Sequence, residues 1–518
     1  MQDRSGSAAI PRFAWIALVV LTLANVLNYL DRQIPSILAH DIKQSMKLDD
    51  AELGFLLGTS FAVFYALVGI AMGRIADAFN RTRLLSLGLA LWSLMTAAGG
   101  LASSFAGLSA ARIGVGVGEA TATPCANSLL SDAFPARNRA TALGSYLSGT
   151  YIGTALALIV GGYVAQHWPD MCTAVPVAGA CGVQGWQAAL FVVAVPGLVV
   201  ALAVLALREP RRVPSPREGA LRYIALELAA TLPPFTLWSL QRLGGAPAVR
   251  RNLVTAGAVL IGAYALVHWT HDVAQWSALG LGTYAILTWG QVQSFRDPPL
   301  YALTFGCRTF VIMTAGAALI ACINGAVQAW SAPYVIRTLH LSTAQTGLAL
   351  GLTTAFGSAI GVIGGGWLTD RWKRHDRRAP AFVAAIGALC GLPLVVALLH
   401  AQSLDAFLVF LFMHGILAAC WGGAFAAQAQ DLVLPRMRGA AAAAFALISI
   451  VVASGAGPYW AGKVSAVTGS LVTGLLSMQL LLPAALWLLW IGARRLRGET
   501  PEARLARAMA AGEPAPVS

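Results

Sequence analysis

Three ionisable residues lie inside apolar stretches of the sequence, where a charge is costly. Glu119 lies midway along the apolar run near residues 107–130, Arg112 precedes it by seven residues, and Asp31 lies near the end of the first apolar run, residues 14–34. An ionised carboxylate deep in a membrane costs roughly 2.5 to 3.5 kcal/mol on insertion scales. Apolar surroundings favour the protonated form of a carboxylate, whereas a nearby cation favours the ionised form. Glu119, Asp31 and Arg112 are therefore predicted to form a proton-binding cluster.

A static ion pair that holds two helices together is the alternative for Glu119 and Arg112. Seven residues make two helical turns, so the two side chains share one helix face under either interpretation. Arg32 follows Asp31 directly, and it could join the cluster or extend to the outer membrane interface.

Further polar or aromatic residues in the apolar runs are candidates for the lining of a substrate cavity. Those of the first half precede Asp31 by up to two turns. We expect the lining to include Asn25, Asn28, Tyr29, Asn324, Gln328, His414 and Trp421.

The elements that must position these residues are membrane-spanning helices. Hydrophobic residues make up 57% of the 518 and charged residues only 11%, too few to cover a soluble core of this size. A helix needs about 20 apolar residues to cross a bilayer. We predict an all-α polytopic membrane protein with a six-helix bundle over residues 1–212, a second over residues 300–498, and a cytoplasmic tail over residues 499–518.

The predicted spans fall into two groups of six. In the first half they lie near residues 14–34, 51–72, 84–104, 107–130, 140–165 and 187–207. In the second half they lie near residues 304–330, 345–368, 380–400, 404–428, 440–464 and 470–492.

An insert over residues 213–299 separates the two groups. It contains two further apolar runs, Asn252–Trp269 and Ala274–Gln291, which we predict to be two extra transmembrane helices. The stretch 221–243 has basic ends and is predicted to lie on the membrane interface. The sequence does not indicate what the insert does.

Basic residues predict the orientation of the chain. The net charge of +13 comes from short clusters between apolar runs rather than from one basic face, which argues against a nucleic-acid partner. Most of these clusters lie on one side of the predicted topology, so the positive-inside rule places both termini in the cytoplasm. Seven of the 35 basic residues depart from this pattern: Arg32, Lys43, Lys47, Arg112, Arg308, Arg337 and Lys463.

Cysteine usage leaves one question open. Cys172 and Cys181 share a loop on the predicted outer side, where a disulfide could persist, but two free thiols are an equal alternative.

Two sequence landmarks recur at equivalent places in the two halves. GRIAD at residues 73–77 returns as GWLTD at 366–370, which is 293 positions further on (366 minus 73). DAFPARNR at residues 132–139 returns as DLVLPRMR at 431–438, which is 299 positions further on (431 minus 132). We infer that the halves are duplicated.

These landmarks resemble motifs of the major facilitator superfamily. GRIADAFNRTR, residues 73–83, is similar to the superfamily's loop signature, and GWLTDRWKR is similar to its weaker second copy. NYLDR at 28–32, RIGVGVGEA at 112–120 and SDAFPARNRATALG resemble the Spinster-like branch. The resemblance implies two pseudo-symmetric six-helix bundles, with the substrate held between them near the membrane midplane.

The resemblance also implies a gate on the cytoplasmic side. The loop signature closes that side when the outside is open. Its members here are Gly73, Asp77, Arg81, Arg83, Gly366, Asp370 and Arg371. A solvated charge run that merely follows the positive-inside rule would explain the arginines but not the glycines or Asp77.

Secondary active transport is the function that the resemblance implies. We expect proton-coupled movement of a small organic or amphipathic anion across the inner membrane. An uncoupled facilitator or exchanger, in which Glu119 and Arg112 bind substrate, is the first alternative, and a non-transporting membrane sensor is the second. We expect a monomer with no enzymatic activity, cofactor or metal, whose partners are its small-molecule or lipid-like substrate, protons and membrane lipids.

Overall fold

The computed structural model describes residues 11–174, 179–209 and 220–514, and these residues are almost entirely helical. Within this part of the chain, eleven helical stretches are long and apolar enough to cross a membrane. They include ten of the twelve spans predicted for the two halves, and the all-α class is confirmed. The predicted boundary between residues 212 and 213 lies outside the described residues.

The first half contains two interrupted crossing elements. The second element passes through a π-helical turn at Phe55–Thr59, and the fourth breaks after Glu119. Its helices are α1 (Arg12–Met46), α2 (Asp50–Gly54), α3 (Ser60–Ala78), α4 (Arg81–Gly100), α5 (Phe105–Glu119), α6 (Ala122–Ala133), α7 (Ala136–Met171) and α8 (Gly185–Leu205). Cys172 and Cys181 form a disulfide in the loop after α7.

The insert and the second half follow in the predicted order. The insert's helices are α9 (Ala220–Ala229), α10 (Thr236–Thr270), α11 (Val273–Arg296) and α12 (Pro298–Leu303). The second half comprises α13 (Arg308–Thr338), α14 (Thr343–Lys373), α15 (Ala379–Leu399), α16 (Leu404–Ala419), α17 (Gly422–Asp431), α18 (Arg438–Thr468), α19 (Leu471–Ser477) and α20 (Leu482–Leu496), and α21 (Pro501–Ala510) lies in the tail.

The two halves repeat each other in local structure. Ser104 caps α5 and Ser403 caps α16, which is 299 positions further on (403 minus 104). The helix that follows each cap is interrupted at the same place, because α5 ends at Glu119 and α16 ends at Ala419.

The landmark aspartates repeat as well. Asp132 forms an ion pair with Arg81 in the first half, and Asp431 forms one with Lys373 in the second half. In each half the aspartate thus binds a basic residue that lies shortly after the first landmark, GRIAD in the first half and GWLTD in the second.

The described residues of the two halves approach each other most closely near one end of the molecule. We call the end that carries both chain termini the terminal side and the opposite end the far side. Near the far side, α7 packs against α14, and α2 packs against α18. These helices approach through glycine, because a Cβ atom at Gly347 would collide with the Leu158 carbonyl, and one at Gly58 with the Ser454 carbonyl.

Glycines toward the terminal side have no such neighbours. Among the described residues, no atom lies within 4 Å of a Cβ built at Gly73, Gly144, Gly364 or Gly366. Within the described residues, the close glycine contacts between the halves thus lie at the far side, and these four glycines of the terminal side make none.

The insert presents an apolar face to the surroundings. Helix α10 packs mainly on α11, and large side chains such as Leu260, Ile261 and Tyr264 are about 70% exposed. Such a surface is stable only in lipid, so the insert lies beside the bundles within the membrane.

Two substitutions in α14 test the close approach at the far side. Gly347→Ala forces α14 away from the Leu158 carbonyl and is expected to lower the free energy of unfolding by about 1 to 3 kcal/mol. Gly364→Ala is the matched control and is expected to leave stability unchanged or slightly raised, because alanine favours a helix over glycine by about 1 kcal/mol. The thermal midpoint of the purified protein measures both; equal midpoints would contradict the packing described.

Candidate functional site

The ionisable residues of α1 lie at the middle of a long helix. The sequence places Asp31 and Arg32 at the outer end of a helix near residues 14–34, but α1 continues to Met46, and this expectation is wrong. The polar segment after Arg32 stays helical because α1 packs along α7 and α13. Asp31 and Arg32 are therefore at mid-membrane depth, and Arg32 cannot extend to an interface.

Arg32 is the direct partner of Glu119. Its Nε atom donates a hydrogen bond to Glu119 Oε2 at 2.7 Å, which joins α1 to the break after α5. Glu119 is fully buried, whereas the side chain of Arg32 is 14% exposed. A buried carboxylate without such a partner would be strongly destabilising.

Three aromatic rings hold the Arg32 guanidinium in place. Its central carbon lies 4.5 Å from the Tyr65 ring centroid, 4.9 Å from that of Phe61 and 5.0 Å from that of Tyr29. Cation–π contacts of this kind compensate for part of the lost hydration of a buried guanidinium.

Asp31 and Arg112 complete the cluster. Arg112 Nη1 donates to the backbone carbonyl of Asp31 at 3.0 Å, and the Thr96 hydroxyl donates to the Asp31 carboxylate at 3.0 Å. Both residues are buried, and they line an otherwise largely apolar pocket of about 480 Å³ inside the first bundle. The structure brings together Glu119, Asp31 and Arg112, as the sequence predicts, and adds Arg32.

The cluster contains two carboxyl groups that are candidate proton sites. It also contains two guanidinium groups, and a guanidinium does not lose its proton in proteins. Protonation must therefore occur on Glu119 or Asp31, and it leaves a guanidinium without its counter-charge.

A second pocket, of about 470 Å³, lies between the halves. It is lined by Tyr29 and Gln33 of α1, Thr150, Tyr151 and Thr154 of α7, and Gln328, Thr354 and Ala355 of the second half. We call it the central pocket. It includes Tyr29 and Gln328 from the predicted cavity lining.

The other predicted lining residues of the first half lie elsewhere. Asn25 donates to the Tyr146 carbonyl at 2.9 Å and so ties α1 to α7, and Asn28 is buried within the first bundle. Within the described residues, the amide nitrogen of Asn28 has no hydrogen-bond partner, and neither asparagine is among the residues that line the central pocket.

The remaining candidates gather inside the second bundle. Asn324, His414 and Trp421 line a pocket of about 330 Å³, together with Gln479. Within the described part of the chain, His414 Nδ1 and Trp421 Nε1 have no hydrogen-bond partner. This interior pocket lies between α13, α15 and α16 and is separate from the central pocket.

The predicted gate residues differ sharply in environment. Arg81 is fully buried and pairs with Asp132 at 2.7 Å and Glu209 at 2.8 Å, all within the first half. Arg83, Asp370 and Arg371 are exposed. Asp77 belongs to α3, but its side chain lies outside the described residues.

The sequence did not predict the role of Asp50, a buried aspartate at the far side. Asp50, at the start of α2, accepts hydrogen bonds from Lys43 at 2.6 Å, Arg337 at 3.0 Å and Ser465 at 2.6 Å. Arg337 and Ser465 belong to the second half, so Asp50 links the halves. Lys43 and Arg337 are two of the seven basic residues that depart from the positive-inside pattern, and that departure was the available signal.

Known proteins resemble the chain over most of its length. An MFS-type efflux pump of Mycolicibacterium smegmatis is 27% identical over 507 residues, covering 96% of each chain. Spinster homolog 1 of Xenopus laevis is 24% identical, covering 87% of this chain and 72% of that protein. A probable L-galactonate transporter of Escherichia coli is 30% identical, but over 35% of this chain and 40% of that protein.

Solved structures show the same fold. A bacterial homolog of the human lysosomal transporter Spinster, in an inward-facing and unoccupied conformation, superposes with a TM-score of 0.70 at 24% identity. The match covers 95% of this chain and 99% of that one. The sequence profile of the Major Facilitator Superfamily matches residues 21–458. The chain therefore belongs to the Major Facilitator Superfamily and is Spinster-like within it.

Proposed function

We propose that this membrane transporter moves a small organic solute by alternating access and is driven by protons. The observation that carries the proposal is the buried ion pair between Arg32 and Glu119, at the boundary between the first bundle and the space between the halves. Relatives named as an MFS-type efflux pump and a probable L-galactonate transporter support transport.

Protonation of Glu119 is the proposed coupling step. A proton on Glu119 removes the negative charge that Arg32 faces, so the attraction across the 2.7 Å contact is lost. The Arg32 guanidinium lies against the ring of Tyr29, which also lines the central pocket. A shift of Arg32 would therefore change the shape of the pocket, and occupancy of the pocket would in turn bias Arg32.

The two ends of the molecule act as alternating gates. In the present conformation Asp50 holds the far side closed, and the glycines of the terminal side stand apart. In the opposite conformation, Gly73 and Gly366 would allow close approach at the terminal side, with Asp77, Arg81, Arg83, Asp370 and Arg371 forming the gate. The terminal side would face the cytoplasm according to the positive-inside rule, and the membrane would be the inner membrane.

Direct substrate binding by Glu119 and Arg112 is the weaker alternative. Glu119 is fully buried, and Arg112 donates to the Asp31 carbonyl inside the first bundle. A substrate in the central pocket would meet neither group, since neither belongs to its lining. Their burial favours a role in proton coupling.

Glu119→Gln tests the coupling step. Glutamine keeps the shape of the side chain but cannot exchange a proton, so proton-driven currents on a solid-supported membrane are expected to fall at least tenfold. Asp405→Asn, which changes an exposed carboxylate at the start of α16, is expected to leave the currents unchanged. Undiminished currents in Glu119→Gln would remove this residue from the coupling role.

Asp50→Asn tests the far-side gate. The substitution leaves Lys43 and Arg337 without their counter-charge, and we expect a loss of about 3 kcal/mol in the free energy of unfolding. The adjacent Asp49→Asn is the control, because asparagine caps a helix about as well as aspartate. Thermal unfolding of both variants measures the difference, and an Asp50→Asn midpoint equal to that of the control would refute the gate.

A further inference from the structure

The lining of the central pocket is polar but uncharged. Seven of its eight residues carry a hydroxyl or amide group, and the eighth is Ala355. No member of this set, drawn from the described residues, bears a charge. Recognition in this pocket must therefore rest on hydrogen bonds and ring contacts rather than on an ion pair.

The two amides of the pocket are available to a ligand. Over residues 11–174, 179–209 and 220–514, neither Gln33 nor Gln328 forms a side-chain hydrogen bond within the protein. Each amide offers two donor hydrogens and one acceptor oxygen, which matches a hydroxyl group that both donates and accepts. Gln33 belongs to the first half and Gln328 to the second, so one ligand could bridge the halves.

Tyrosine rings complete the chemistry of the pocket. Tyr29 and Tyr151 add phenol hydroxyls and apolar ring faces to the same space. A polyhydroxylated carbon chain or ring has the complementary features, because hydroxyl groups line its edges and C–H groups its faces. The pocket has only eight lining residues, which suits a compact molecule of monosaccharide size rather than a long-chain one.

A carboxylate would have no free partner here. The nearby cation, Arg32, is bound to Glu119 at 2.7 Å and enclosed by aromatic rings. An unpaired ionised group at mid-membrane depth costs several kcal/mol on transfer scales.

We propose that the transported solute is a neutral polyhydroxylated molecule of monosaccharide or alditol size, held by Gln33 and Gln328 between the tyrosine rings. This inference rests on the proposed transport function. It replaces the expectation of an anionic or amphipathic substrate that the family resemblance implies.

A matched ligand series tests the substrate class. The purified protein is unfolded thermally with millimolar xylitol, sorbitol, D-xylose or D-glucose, with gluconate as the charged analogue of sorbitol, and with lysophosphatidylcholine as the amphipathic probe. We expect at least one neutral member to raise the midpoint by several degrees and gluconate and the lysolipid to have no effect. Gln328→Leu should abolish the shift, whereas Gln402→Leu, at an exposed amide outside the pocket, should retain it.

Two outcomes would overturn the proposal. The first is stabilisation by gluconate or the lysolipid alone, and the second is the absence of any Gln328-dependent shift with the neutral set. A pH-jump current recorded from the same preparation without added solute reports proton binding that depends on Glu119, so it separates this failure from a failure of the proposed proton coupling.

A separate observation concerns the insert, which is bonded to both halves at the far side. Gln275 of α11 is buried, and its Nε2 donates to the Gly455 carbonyl of α18 at 2.8 Å. The Thr59 hydroxyl, from the π-helical turn before α3, lies 2.5 Å from both Gln275 Oε1 and that carbonyl. One side chain of the insert thus joins the first half to the second.

The loop between α10 and α11 fixes the insert to α18. Asp272 accepts a hydrogen bond from Tyr459 at 2.6 Å and pairs with Lys463 at 2.6 Å. Lys463 also donates to the Thr270 carbonyl at 2.6 Å. Because these groups are partly buried, their pairing holds the loop against α18.

The terminal end of the insert is attached as well. Glu227 of α9 accepts from Arg74 of α3 at 3.3 Å. Asp297, after α11, binds Arg436 of the second half at 2.8 Å, and Arg436 in turn binds Glu513 of the tail at 2.7 Å. The hydrogen bond from Arg436 holds the pKa of the Glu513 carboxyl below its usual range.

We infer that the insert bridges the contact between α3 and α18, and we call residues 220–299 the strap for this reason. The strap stabilises the conformation in which the far side is closed. Opening the far side separates Thr59 from Gly455, and both are held by Gln275. The strap therefore resists far-side opening while its attachments at the terminal end keep it in place.

Thiol labelling at Ser36 measures the effect of the strap. Ser36 is buried at the far side, where its hydroxyl donates to the Ala329 carbonyl of the other half at 2.7 Å. In a variant whose free cysteines are replaced, Ser36→Cys should react slowly with a membrane-impermeant maleimide added from the far side. Adding Gln275→Leu should raise the rate about tenfold, the effect of losing two net hydrogen bonds.

Two further variants serve as a control and as a second test in the labelling experiment. Thr283→Val, at an exposed position of α11, should leave the labelling rate unchanged. Asp272→Asn, which weakens the other far-side attachment, should raise the rate if Gln275→Leu fails to fold. Labelling rates equal to those of Thr283→Val in every strap variant would overturn the inference.

Discussion

A charge inside a lipid-embedded protein is tolerated only beside a partner, and the partnerships of this chain mark the places where its helices meet. Basic residues that break the positive-inside pattern are the clearest case. Five of the seven have a partner: Arg32 with Glu119, Arg112 with the Asp31 carbonyl, Lys43 and Arg337 with Asp50, and Lys463 with Asp272. The other two, Lys47 and Arg308, are exposed at helix ends. The pairs thus identify the midplane cluster, the far-side link and the attachment of the insert.

An ion pair responds to protonation in a way that apolar packing does not. Glycine-mediated approach at Gly58 and Gly347 gives the far side a close, water-excluding contact, but such packing carries no signal. A buried carboxylate changes its attraction for a guanidinium when it takes a proton, and this change can be passed to a rigid helix. Helix α1 carries both Arg32 and the pocket residue Tyr29, so it connects the buried ion pair with the space between the halves.

The two halves differ in the polar side chains that lie inside their bundles. The caps Ser104 and Ser403 and the landmark pairs are retained, which preserves the architecture. The pocket inside the first bundle is lined by Asp31 and Arg112, whereas the interior pocket of the second has no carboxylate or guanidinium among its described lining residues. The proposed proton coupling therefore draws on the first half, and the proposed solute site on both.

The sequence by itself determined the architecture, because hydrophobic length and charge asymmetry act locally along the chain. The all-α class, ten of the twelve predicted spans, the repeat and the burial of Glu119, Asp31 and Arg112 all follow from such local signals. It mispredicted the end of α1, since the polar segment after Arg32 is helical only through its packing on α7 and α13. Boundaries of this kind depend on neighbours that sequence periodicity does not contain.

Only the tertiary structure decided which partners meet. Arg32 rather than Arg112 pairs with Glu119, Asp50 joins the two halves, and His414 and Trp421 lie apart from the central pocket. These outcomes depend on contacts between residues far apart in the chain, where helix rotation and the few ångströms between neighbouring helices select one partner from several. Local sequence patterns fix which groups must find a partner in lipid, and the three-dimensional packing fixes which partner each one finds.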